Sequence, residues 1–418
     1  MKKILILMTT ALLLGICTGC QKQEKEPEKL TVCVDYHFCD QARELIDVWE
    51  KLNEGAEAEL VVIPKDSDTA EIKMTEIRTE IMSGGGPDVF ILSCINPMSA
   101  QDEEAEAILF SNPEKMMYAD VFLPLDEYMK QANYMRPENW NQTILEAGRT
   151  EEGQMLLPIL YHYAAFAFHT TDVEGNGGIP SSWEELLVCE NPVIQKAMSL
   201  TLYSKFSEIY GRLADYQEEK LLFTEEELLI RAQEAAQYIE ATYESDAVEN
   251  APDKVVGGAA LKVLYEYLAA EQEDYTIIGL PNEAGGVTAN ITMYAGINHN
   301  TKQPEMAFSL IDVFFSDEFM SGTGFRDGEH SFGQLKWYSW FEAPINRQAY
   351  QNMYSGLTQK DMDAIENLES KINAVRFYSN FDKELYNMFY LYVRTRDEDE
   401  RKEMVHSTYN TLQMELSE

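Results

Sequence analysis

The stretch LTVCVDYHFCDQARELIDVWEKLNEGAEAELVVIPKDSDTAEIKMTEIRTEIMSGGGPDVFIL, residues 30–92, decides the fold. It opens on Leu30-Thr31-Val32-Cys33-Val34, a short apolar and β-branched run that reads as a strand. Residues 41–52 then carry Ala42, Leu45, Ile46, Trp49 and Leu52 at helical spacing. A second strand is expected at residues 60–63. A second helix is expected at residues 69–82, with Ile72, Ile77 and Ile81 on its apolar face, stopped by Gly84-Gly85-Gly86. Pro87-Asp88 leads into Val89-Phe90-Ile91-Leu92, a run with the pattern of a buried strand. Strand, helix, strand, helix, strand predicts a parallel α/β layer with helices on both faces.

Before this stretch lie a signal and a tether. Lys2 and Lys3 precede an apolar segment too short to span a bilayer, and the segment ends at Cys17-Thr18-Gly19-Cys20. The cysteine after Thr-Gly resembles the lipobox of bacterial lipoproteins, although Cys17 stands where that motif prefers Leu. The resemblance implies cleavage before Cys20 and a lipid on its thiol. Residues 20–29, CQKQEKEPEK, read as the lipidated cysteine and a charged spacer. The expected location is the extracytoplasmic face of a bacterial membrane, at the cell surface.

The whole chain has 418 residues and a net charge of −39, and the loss of the two lysines with the signal takes it to −41. Nucleic acid is excluded as a partner, because phosphate contacts need clustered Lys and Arg. A neutral or cationic ligand suits this field better than a strongly anionic one, although an acidic surface also serves solubility alone. Of the six cysteines, Cys33, Cys39, Cys94 and Cys189 remain for the folded part, without metal-ligand spacing. Free buried thiols are preferred over a Cys33–Cys39 or Cys33–Cys94 disulfide, since a chain this long needs no staple.

Beyond residue 92 the chain turns largely helical. Helices are expected at residues 125–132, 223–243 and 304–319, and strands at 156–160 and 275–280. Ser181 or Ser182 is expected to cap the helix begun by Trp183.

Five separated patches, in order, resemble extracellular solute-binding proteins of ABC importers (family 1, the family of maltose-binding protein). They are IRTEIMSGGGPDV at 77–89, VFLPLDEY at 121–128, GQMLLPILY at 153–161 with IPSSWEEL at 179–186, IGLP at 278–281 followed by Gly285-Gly286 and YAGI at 294–297, and the helical segment from Pro304. Each is weak alone; their order across nearly the whole chain carries the resemblance. It implies a two-lobed periplasmic-binding-protein-like fold of type II, each lobe a mostly parallel sheet flanked by helices, joined by a hinge that the chain crosses three times. The first lobe is expected at 30–160 plus 297–342 and the second at 165–290 plus 348–418. The crossings are expected near 161–164, 291–296 and 343–347.

The resemblance also places contacts. First-lobe ligand contacts come from loops at strand ends, here Tyr36, His37, Ser93 and Asn96, whose polarity is also that of ordinary loops. Asp88 matches the family's proline-aspartate and is expected to fix the entry of its strand rather than to touch ligand. His162 falls at the first crossing, as a sugar-hydroxyl partner or a packed hinge histidine. The cleft-lining segments of the second lobe include Leu202-Tyr203-Ser204-Lys205-Phe206 and the stretch from Gly257 to Leu261. Two or three of Tyr203, Tyr265, Trp337, Trp340 and Tyr378 are expected to stack on ligand, since aromatic rings suit the C–H faces of pyranoses.

No nucleophile elbow, HExxH, P-loop or dinucleotide fingerprint occurs, and His162 and His169 lack metal-like pairing. Neither catalysis, cofactor nor metal is expected. The expected function is a monomeric substrate-binding lipoprotein that delivers a mono- or oligosaccharide to ABC permease subunits. A peptide or cationic metabolite is the alternative ligand, and a surface sensory or adhesion lipoprotein the alternative role.

Overall fold

The computed structural model describes residues 29–97, 108–173, 178–251, 256–258, 274–322, 325–327, 330–332, 342–353 and 358–417. The opening stretch forms β1 (Leu30–Asp35), α1 (Cys39–Leu52), β2 (Ala58–Ile63), α2 (Ser67–Met82) and β3 (Val89–Ser93). β1 lies between β2 and β3 and is parallel to both. Helix α1 buries Ala42, Leu45, Ile46, Val48 and Trp49, and the indole of Trp49 donates to Ser309 Oγ at 2.8 Å. Asp66 caps α2 by accepting from the Thr69 N–H at 3.1 Å. The helix leads into Gly84-Gly85-Gly86, where Gly86 sits at φ +93 and a Cβ would meet Ile81 Cγ1 at 2.9 Å.

Ile72 departs from expectation, being 71% exposed, while Ala70, Met74 and Ile77 form the buried face of α2. Five residues on a helix turn through about 140° beyond a full circle, so Ile72 and Ile77 cannot share a stripe. Spacing of four and three does align 70, 74 and 77.

The remaining strands used below are β4 (Leu157–His162), β5 (Ala165–His169), β6 (Val256–Gly258), β7 (Tyr275–Gly279), β8 (Val287–Ile297), β9 (Ala343–Pro344) and β10 (Ile372–Phe377). The main later helices are α3 (Pro192–Lys205), α4 (Glu225–Tyr243), α5 (Pro304–Phe314), α6 (Gln359–Glu369), α7 (Asn380–Arg394) and α8 (Glu398–Ser417). The large sheet runs β9-β4-β8-β3-β1-β2, with β10 also pairing β8. The smaller one runs β6-β5-β7. The sheets are mixed, where mostly parallel ones were expected. β8 is antiparallel to β3 and β4 but parallel to β10, and both pairings of the small sheet are antiparallel. The chain passes from β4, in the large sheet, to β5, in the small one, through two residues, so the two sheets are joined directly at this point.

Two hydrophobic cores result. The larger gathers β1, β3, β4, α1 and α5 with β8; the second gathers Phe166, Phe168, α3, α4, α7 and α8. Tyr163 belongs to the first and Ala164 to the second, so consecutive residues serve different cores. β10 pairs with β8 in the large sheet, although residues 348–418 were placed with the second lobe. Two expected helices are shorter. The segment 125–132 gives one turn, Asp126–Met129, and α5 stops at Phe314 because Ser316 caps a separate turn, accepting from the Phe319 N–H at 3.2 Å. Of the two candidate serines, Ser182 caps the helix at Trp183. The four cysteines of the folded part are thiols, as preferred. Among the described residues no helix is long and apolar enough to cross a membrane.

Candidate functional site

Where β4 gives way to β5, the chain meets the end of α3 and the segment leaving β10. Strand alternation turns His162 to the opposite side of β4 from Tyr161 and Tyr163. Tyr161 and Tyr163 donate to Glu369 Oε1 at 2.7 and 3.3 Å. His162 instead joins Lys205, Glu208 and Tyr378, none of them more than 5% exposed.

Lys205 closes α3, and Glu208 follows in the 3-10 helix Phe206–Tyr210, three positions on. The Lys205 ammonium donates to Tyr378 Oη at 2.6 Å, lies 2.5 Å from His162 Nε2, and pairs with Glu208 Oε1 at 3.2 Å. The Tyr378 hydroxyl donates to Glu208 Oε1 at 3.1 Å. Asn290, on β8, donates to the same oxygen at 3.0 Å, and Thr288 Oγ1 donates to the Glu208 carbonyl at 2.8 Å. One carboxylate therefore ties together α3, β8 and β10.

Protonation follows from this packing. Burial alone would raise the Glu208 carboxyl, but Lys205 and His162 outweigh it and hold the group at about 2. Burial first, and then the adjacent Lys205 charge, push the His162 imidazole below its usual value, outweighing the pull of Glu208. With Nε2 accepting from Lys205, a neutral ring protonated on Nδ1 fits the geometry. Burial, reinforced by Glu208, raises the Tyr378 phenol.

A second buried pair stands behind Glu208. Arg376 Nη2 donates to Asp382 Oδ1 at 2.6 Å and to Ser207 Oγ at 3.1 Å, and Nη1 donates to the carbonyls of Ser207 and Gly211. Both cations of the site are thus matched by carboxylates. The local charge is close to balanced within a chain of net −39.

Of the expected contacts, the structure brings together His162 and Tyr378. Ser93 lies at the end of β3, and its N–H donates to the Asp35 carboxylate at the end of β1. Tyr36 and His37 are exposed and meet edge to face with centroids 5.6 Å apart, and Asn96 is exposed on the loop after β3. Tyr203 does not join the cluster. It faces Arg394, whose guanidinium carbon lies 5.7 Å from its ring centre, because two residues of helix separate it from Lys205 by more than half a turn. Tyr265, Trp337 and Trp340 lie outside the described residues. Asp88 has a scaffold role: it accepts from Thr31 N and Oγ1 at 2.8 and 2.7 Å and from Thr301 Oγ1 at 2.5 Å, fixing the entry of β3.

Lys205 lies in a segment expected to line the cleft but was not singled out, and Glu208 and Asn290 were missed. The one weak signal was Lys205 and Glu208 at spacing three, which suits an ion pair on one helix face, although TLYSKFSEIY gives no sign that the pair is buried. Asn290 had no comparable signal.

No protein-family model matches this sequence, and no curated protein matches it. Solved structures share the fold. An extracellular solute-binding protein of family 1 from Alicyclobacillus acidocaldarius aligns at 13% identity with a TM-score of 0.54, over 93% of this chain and 98% of that one. A periplasmic oligogalacturonide-binding protein from Yersinia enterocolitica aligns at 13% and 0.56, over 93% and 99%. An ABC substrate-binding protein from Listeria monocytogenes, solved with cycloalternan, aligns at 11% and 0.53, over 93% and 99%. A de novo designed cysteine esterase also aligns, at 13% and 0.57, over 93% and 98%. The fold is the two-lobed, type II periplasmic-binding-protein-like fold. At these identities the fold is what is shared, and function must be argued from the site.

Proposed function

We propose that this chain is the substrate-binding lipoprotein of an ABC importer, anchored through Cys20 on the extracytoplasmic face, which captures a carbohydrate and passes it to permease subunits. The carrying observation is the buried cluster of His162, Lys205, Glu208, Asn290 and Tyr378, drawn from both sides of the β4–β5 passage. A polar cluster at the junction of two cores can sense their relative position. A ligand that binds one arrangement of the lobes more tightly shifts the population towards it.

The balanced charge of the cluster favours a neutral ligand with many hydroxyls over an anion. The similar structure solved with cycloalternan supports a neutral glycan as the ligand class, whereas the oligogalacturonide for which another is named is a glycan that carries carboxylates. The role is binding rather than catalysis: Lys205 is held by three neighbours, Glu208 is held ionised, and neither is left to exchange a proton with substrate.

The test is a thermal-shift screen of the mature protein against neutral oligosaccharides, short peptides and polyamines, because a ligand of the native state raises the melting temperature. Stabilisation by an oligosaccharide is expected. Stabilisation by polyamines or peptides alone would sink the carbohydrate reading. For the anchor, Cys20→Ser is expected to release the protein from the membrane fraction, and unchanged retention would count against lipidation.

A further inference from the structure

Strand β8 carries Asn290, Thr292 and Tyr294 on one face, because alternate residues of a strand point the same way. Each ends in a buried polar atom with no hydrogen-bond partner among the described residues: Asn290 Oδ1, Thr292 Oγ1 and Tyr294 Oη. Buried polar groups are paired in the great majority of cases, so three on one strand face need a reason.

Asn290 gives the clearest reading. It is fully buried, and its amide orientation is decided by Glu208, to which Nδ2 donates at 3.0 Å. The flipped amide would set its oxygen against a carboxylate. Oδ1 is therefore an acceptor turned away from Glu208 and still lacking a donor. Thr292 stands two residues on, where the Cys94 N–H donates to its carbonyl at 2.7 Å and the Tyr378 N–H donates to the preceding carbonyl of Ile291 at 3.1 Å. These bonds fix the backbone and leave the hydroxyl uncommitted. Tyr294 is packed edge to face on Phe377, with centroids 5.6 Å apart, and is kept in the first core by that contact.

We propose that Asn290 and Thr292, whose polar atoms are enclosed in this arrangement of the chain, become ligand-contacting residues when the two cores part, forming a subsite for a sugar hydroxyl pair. One hydroxyl donates to Asn290 Oδ1, and a neighbouring hydroxyl exchanges a hydrogen bond with Thr292 Oγ1. This deepens, and rests on, the carbohydrate-binding reading. A carboxylate or phosphate is unsuited to Asn290 Oδ1, because it brings no donor and would approach Glu208. The geometry also links binding to shape, since Asn290 holds Glu208 with one end of its amide and would hold ligand with the other.

The test is calorimetry on the mature full-length protein with maltotriose, isomaltotriose, cellotriose and spermidine as probes, on wild type, Thr292→Val and Asn290→Ala. A trisaccharide is expected to bind wild type, with affinity reduced about tenfold in Thr292→Val, the loss of one hydrogen bond, and further in Asn290→Ala. Thr292→Val keeps the side-chain shape, and its unliganded melting temperature should match wild type. It decides the matter alone if Asn290→Ala fails to fold. A trisaccharide that binds wild type and the folded variants equally overturns the subsite and leaves the carbohydrate reading standing. If no trisaccharide binds wild type, whether or not spermidine does, both fall together.

Discussion

The Lys205 ammonium and the Tyr378 hydroxyl meet at 2.6 Å although 173 positions separate them in sequence. The contact joins the last residue of α3 to the residue that follows β10, and the Glu208 carboxylate accepts from both. Lys205 thus supplies the positive charge that permits a buried carboxylate at the junction of the two cores.

Lys205→Met should therefore destabilise strongly, by about 3–5 kcal/mol, because it strands the Glu208 charge. Urea denaturation would measure it. Lys205→Met combined with Glu208→Gln should recover a large part of the loss, since no charge is then left buried. If the double variant is as unstable as Lys205→Met alone, the pairing does not carry the stability.

The cluster also sets a pH dependence. His162 is lowered in the folded state, so the unfolded chain takes up its proton first, and stability is lost as pH falls below about 6.5. Glu208, held at about 2, adds stability that is present above about 4.5 and lost as pH falls towards 2. Glu114 works in the opposite direction: burial pushes it up to about 7, so it costs stability as pH rises from about 4.5 to about 7. In chemical denaturation followed across pH, His162→Gln should flatten the loss between about pH 6.5 and 5. Glu114→Gln should raise stability at pH 8. A His162→Gln curve parallel to wild type in that window would contradict the first assignment.

Asp312, on α5, accepts from three successive backbone N–H groups, Asn133 at 2.7 Å, Tyr134 at 3.1 Å and Met135 at 2.7 Å. Asp312→Ala should cost about 3 kcal/mol by leaving those donors unpaired. Asp312→Asn, which keeps one carbonyl acceptor, should cost less. Equal midpoints for the two variants in urea would show that the carboxylate is not what holds this loop.

In a thiol-reagent assay on the native mature protein, Cys39 should react first, because it is half-buried while Cys33 and Cys94 are buried and raised by burial. Cys189, also buried and raised, should follow only on unfolding. Rapid native labelling of Cys33 or Cys94 would contradict the packing around β1 and β3.

Local pattern was enough for much of the first half of this chain. The β1–α1–β2–α2–β3 order could be read from residues 30–92, because strand and helix periods are properties of neighbouring residues. The role of Asp88 was expected from the family resemblance, the cap at Trp183 was legible only as Ser181 or Ser182, and the thiol state of the cysteines followed from a chain-length argument. His162 and Tyr378 were named in advance, from a family resemblance and from the chemistry of aromatic rings. The partners they meet were not. Strand direction in the small sheet, the pairing of β10 with β8, and the convergence of Lys205, Glu208 and Asn290 depend on contacts between distant segments. Which acceptor a buried lysine finds is settled only when the chain closes. What residues 30–92 settled unaided was the order of the first five elements, since strand and helix periods are local, whereas the burial of Lys205 and Glu208 was not written in their neighbours. Only the tertiary structure decided that the partners would lie at the junction of two cores, because desolvation demands pairing without saying from where the pair must come.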